Sequence, residues 1–156
     1  LYDNDTPVLK KAFEILRHIN DNNNDNKDLK FLEIVPSKIG MYYLILLFDS
    51  RWGNGGMELV IEGNYPEKLN VLDKTGKAFL FYGSNQAAEA IAQIIPIAEE
   101  INRIDQLPYS ENNQNEIDKL YNKLENIDKF YDSIDIDIYQ LILDDIHNFP
   151  SDYIID

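Results

Sequence analysis

Apolar residues recur at helical spacing along most of the chain, and the breaks between these stretches fall at proline, glycine and short polar runs. Thr6-Pro7 reads as a helix start, a hydroxyl cap followed by proline in the first turn. Val8, Phe13, Ile15, Leu16 and Ile19 continue it as one apolar stripe. Asn20 to Lys27, nearly all Asn and Asp, reads as a loop. Pro36 opens a second helix through Met41 to Phe48, where every position is apolar. A segment apolar on all sides belongs at the centre of a fold; a buried strand is the competing reading at this length. Three glycines in Gly53-Asn54-Gly55-Gly56 then interrupt the pattern and predict a tight turn with positive φ. Met57 to Ile61 resumes an apolar run, closed by Gly63-Asn64.

Pro66 opens a further helix with Leu69, Leu72, Phe79 and Leu80 as apolar positions and Gly76 as a weak point within it. Gly83-Ser84 marks a boundary, with glycine stopping one helix and serine capping the next. The helix from Ala87 onward meets Pro96, where a kink or a restart is expected. Leu107 to Asn115 reads as a polar loop. Ile117, Leu120, Tyr121, Leu124 and Ile127 mark one more helix, and Ile136 to Asn148 the last, before a short tail. The pattern predicts an all-α protein: a single compact domain over residues 1–156 with about six or seven helices and no internal repeat.

Length and charge sharpen this picture. A chain of 156 residues can bury roughly 70% of its unfolded surface and needs no covalent staple. It has no cysteine, so disulfides and thiolate metal sites are excluded, which fits a reducing cytoplasm. No apolar run approaches the ~18 residues of a membrane span, and no signal peptide is visible. A cytoplasmic location is expected; the chain begins at Leu1 and not at Met, which leaves room for a preceding segment. Residues 1–98 hold 13 acidic and 10 basic side chains and residues 99–156 hold 15 and 4, so −11 of the net −14 lies in the last third. A field of this sign repels nucleic acid and anionic membranes and attracts basic surfaces.

The residue patterns of common catalytic sites are missing. No serine sits in a nucleophile elbow, and His18 and His147 are isolated from each other and from any zinc-binding spacing. The glycines at 53–56 are followed by Met57 and Glu58 instead of the Lys and Ser or Thr of a phosphate loop. Read as a calcium loop from Asp21, the chain offers Asn26 where glycine is required and Leu32 where glutamate is required. The pairs Asp135/Asp137 and Asp144/Asp145 are not brought together by their spacing and read as solvated helix faces. No enzyme activity, metal or cofactor is expected.

Several of these segments, in order, resemble the bacterial DNA-mimic protein family, a domain of unknown function with an Asn-Gly-Gly turn. Asn54-Gly55-Gly56-Met57 is similar to its hallmark turn and the apolar helix behind it. Tyr82-Gly83-Ser84 and Ala87-Ala88-Glu89-Ala90 are similar to its helix stop and alanine-rich helix. Asp128-Lys129-Phe130-Tyr131 and His147-Asn148-Phe149 are similar to its closing segments, so the resemblance covers residues 40–150. The chain departs from the family at Met57 and Leu59, where an aromatic residue and a glutamine are usual. The resemblance implies an all-α fold. For the family's namesake it implies a dimer whose acidic surface imitates the phosphates of DNA and occupies a DNA-binding regulator. Relatives look like immunity partners of bacterial toxins.

Charge and resemblance together predict a protein that sequesters a basic, nucleic-acid-binding protein, with toxin immunity as the alternative. Direct nucleic-acid and membrane binding are not expected; a homodimer is compatible with the resemblance. Charge density nominates Asp128, Asp132, Asp135, Asp137, Asp144 and Asp145 as the contact residues. Asn54, Gly55, Gly56 and Gly83 are assigned to structural turns.

Overall fold

The computed structural model describes residues 27–155 together with residues 14, 15, 17 and 18. The helix start at Thr6-Pro7 and the loop reading of residues 20–26 lie outside the described residues. Residues 27–155 form six α-helices and no strand. These are α1 Lys27–Ile34, α2 Ser37–Ile61, α3 Glu67–Phe81, α4 Asn85–Asp105, α5 Glu111–Asp132 and α6 Ile138–Asn148, with a 3₁₀ turn at Pro150–Tyr153. The all-α expectation and its helix count therefore hold.

The eight apolar residues from Met41 to Phe48 lie in α2, and none of them is exposed. Helix α2 packs against α3 and α5, and α4 lies between α3 and α5. Helix α4 presents Ala87, Ala90, Ile91, Ile94 and Ala98 to the main core, where the small alanines let neighbouring backbones approach closely. The chain crosses Pro96 without restarting the helix. A second, smaller core joins Phe31, Val35 and Ile39 to Tyr153 of the terminal 3₁₀ turn. Helix α1 is an element the hydropathy pattern leaves unassigned, and it begins at Lys27, inside the expected loop.

Three further expectations are corrected. Residues 111–115 are helical, because the Ser110 hydroxyl accepts the Asn113 backbone N–H at 3.0 Å and starts α5 early. Helix α6 starts at Ile138 and not Ile136, with Asp137 accepting from the Gln140 N–H at 3.1 Å. Leu80 is 54% exposed, since the helical period places Val71, Leu72, Thr75, Ala78 and Phe79 on the core side of α3. The stop at Gly83 is as expected. Its φ is +88°, its N–H bonds to Leu80 O, and the N–H of Ser84 bonds to Phe79 O, the double closure of a glycine-terminated helix.

Lys68 is 7% exposed on α3. Burial, and next the Arg51 cation, push its ammonium down to about 8. Below that pH the folded chain carries a charge it holds poorly, whereas the unfolded chain does not resist it. Lys68→Met is thus expected to stabilise the protein near neutral pH by ~1–3 kcal/mol. The wild type gains stability as pH rises from about 8 towards 10.5, because the unfolded state then binds the extra proton. The advantage of the variant should shrink across that window. Denaturant unfolding of both proteins against pH checks this, and a difference that ignores pH would refute it.

Candidate functional site

Helix α2 is broken at Gly55 and Gly56. Gly55 has extended φ (−167°, ψ 18°), and Gly56 lies at φ 66°, ψ −163°, a region essentially confined to glycine. The helical segment that restarts at Met57 needs an acceptor for its first N–H. That acceptor is Asp128 on α5: its Oδ1 takes the Met57 N–H at 2.7 Å and the Trp52 indole N–H at 3.1 Å. An anion at the start of a helical segment also meets its dipole favourably. On the other side of the break, the Asn54 amide donates to Ser50 O at 2.6 Å. The predicted turn is therefore a capped break inside one helix.

One turn earlier, Asp49 stands at the end of the apolar run. It accepts the hydroxyls of Tyr131 and Tyr139, both at 2.6 Å. Burial, and then the Asp49 charge, raise the Tyr131 hydroxyl well above its usual range, so it stays a protonated donor. The Tyr131 ring packs edge-on against Trp52 at 4.8 Å and Phe48 at 5.2 Å. These contacts fix Trp52 and Tyr131 in one wall of a cleft.

The cleft has a volume of about 350 Å³ and opens where α2 meets the α5–α6 connection. Asp49, Trp52, Ser84, Tyr131, Asp132 and Asp137 are among its lining residues, and no Lys or Arg is. A shallower hollow adjoins it around Trp52, Gly53, Gly56, Asp128 and Asp132. Ser84 is 2% exposed, and its hydroxyl makes no capping hydrogen bond.

The six nominated acids divide into two groups. Asp128, Asp132 and Asp137 gather at the cleft and hollow, and Asp135 lies between the last two in the connecting segment. Asp132, Asp135, Asp137 and Asp144 are exposed, the last taking an amide bond from Gln140 at 2.8 Å. Asp128 and Asp145 also make structural contacts within the protein. The Asp128 carboxylate is spent inside the α2 break. Asp145 pairs with Lys38 at 2.8 Å and accepts the Tyr153 hydroxyl at 2.6 Å. Burial opposes the Asp145 charge, but the bonds from Lys38 and Tyr153 outweigh it and hold the carboxyl below its usual range. Lys38 also reaches Asp152 at 3.0 Å and lies 4.4 Å from the Phe149 ring centre, which ties the chain end to α2.

Sequence reasoning passed over Asp49, Trp52 and Tyr139, and it read Ser84 as a helix cap, at which position the residue stands without the expected side-chain bond. The signal for Asp49 was present: one acid closing an eight-residue apolar run has to find donors in the core. Among the described residues, no group of three or more His, Asp or Glu side chains is placed to hold a metal ion. The described residues also hold no helix long and apolar enough to cross a membrane. An acceptor-rich, aromatic-walled cleft on an acidic face is chemically suited to cations. No protein-family model, curated protein or solved structure matches the chain.

Proposed function

We propose that this protein is an acidic binding protein that occupies the basic surface of a nucleic-acid-binding protein, in the manner of a DNA mimic. The observation that carries the reading is the run of exposed carboxylates Asp132, Asp135 and Asp137, from the last residue of α5 to the cap of α6, with Asp132 and Asp137 lining the cleft. Asp144 adds a fourth exposed carboxylate on α6. The excess of −11 after residue 98 gives this last third of the chain a field that draws in basic partners. The motif resemblance supports the same reading.

The test begins with partners captured from the native host and identified by mass spectrometry. Affinity for the partner should fall steeply with salt, because exposed charges are screened within about 8–10 Å near physiological ionic strength. Replacing Asp132, Asp135 and Asp137 with Asn should slow association roughly tenfold while leaving dissociation nearly unchanged. The fold should survive, since Asn caps a helix about as well as Asp at position 137. Duplex DNA should compete for the same partner. Binding indifferent to salt and to the triple substitution would end this reading. A toxin neutralised without competition from DNA would replace mimicry with immunity.

A further inference from the structure

We infer that the cleft beside Trp52 receives an arginine side chain from the basic partner, an assignment that rests on the acidic-surface reading above and specifies its chemistry. The cleft joins an aromatic wall, Trp52 and Tyr131, to the carboxylates of Asp49, Asp132 and Asp137. Cations are attracted to aromatic faces and to carboxylates alike, and no basic side chain of the chain lines this space. The second observation is Ser84. Its hydroxyl makes no capping hydrogen bond, and the residue, 2% exposed, lines the cleft. A serine hydroxyl carries two acceptor lone pairs, so a donor entering the cleft would find an acceptor there.

Arginine fits this set better than lysine. A guanidinium is planar, stacks on aromatic rings, sheds water more readily than an ammonium, and offers five donors in a fixed fork. The acceptors present, two rim carboxylates and a serine hydroxyl, are spread around a ring wall instead of converging on one point charge. Asp49 already takes two tyrosine hydroxyls, so its charge reaches the cleft from behind a rigid wall. The chain holds one of its own cations by the same chemistry: Lys38 sits 4.4–5.7 Å from the centres of the Phe149, Phe81 and Tyr153 rings and pairs with Asp145 and Asp152.

Trp52 is the single tryptophan, so its fluorescence reports on the cleft without a label. The full chain is titrated with a short arginine peptide and with a lysine peptide of equal length, at low and at physiological salt. The arginine peptide should bind about tenfold more tightly, a difference of ~1.4 kcal/mol, and should change the Trp52 emission saturably. Ser84→Ala should weaken the arginine peptide about fivefold and leave the lysine peptide unaffected, the size expected for one lost hydrogen bond. Thermal melting confirms that the variant is folded. Equal, salt-sensitive binding of both peptides with unchanged Trp52 emission would overturn the arginine assignment and leave the acidic-surface reading standing. Failure of both peptides to bind at low salt would overturn the two together.

Discussion

Gly56→Val should lower stability by about 4 kcal/mol, the sum of backbone strain and a collision. At φ 66°, ψ −163° a β-branched residue meets the strain that glycine avoids. A Cβ there would also stand 2.9 Å from Oδ2 of Asp128, the carboxylate that caps the restarted helix. The substitution therefore strains the break and displaces the group that stabilises it. Gly53→Ala, three residues away, is the internal control. Gly53 is helical, and nothing lies within 4 Å of the added methyl. That variant should gain up to ~1 kcal/mol, because alanine suits a helix better. Chemical denaturation of both variants decides the matter. A Gly56→Val protein as stable as the wild type would show that the break is not held as described.

Asp128→Ala should cost about 3 kcal/mol, a fall of roughly 10 °C in melting temperature for a chain of this size. The carboxylate accepts one backbone and one indole N–H, and both donors lose their partner when it is removed. Asp128→Asn keeps an acceptor oxygen in place and should cost about half as much. Trp52 emission should shift in Asp128→Ala as its indole N–H is released, which separates this loss from general softening of the core. The two sites touch, so Gly56→Val and Asp128→Ala combined should destabilise by less than the sum of the single effects. Additive costs would show that the carboxylate does not cap the break.

The two predictions bear on function because break and cleft share residues. Trp52 lies in the cleft wall, and Asp128 holds it there. Damage to the cap should therefore loosen the cleft before it unfolds the chain. The acids with the largest structural role are poor choices for testing partner binding. Asp132, Asp135 and Asp137 can be neutralised without touching Asp128, Asp145 or Asp49.

The amino-acid pattern by itself marked five of the six helices and most of their limits; it left α1 unassigned and a buried strand open for Met41 to Phe48. Periodic apolar positions name the buried face of α4 and α5, an unbroken apolar run names α2 as central, and Gly83 stops α3 where expected. These are local properties, set by side-chain period and by the freedom of single residues, and they are readable without knowing the neighbours. The glycine pair likewise announced a break. What the break needed was invisible, because the acid that caps it arrives 71 residues later, on another helix. The same holds for Asp49, whose donors come from Tyr131 and Tyr139, and for Asp145, whose cation comes from α2. In sequence all the carboxylates of the acidic third look alike. Only the contacts that α2 makes with α5 and α6 decide which are spent on internal donors and which face water, since a carboxylate's role is fixed by donors that the fold brings from distant parts of the chain.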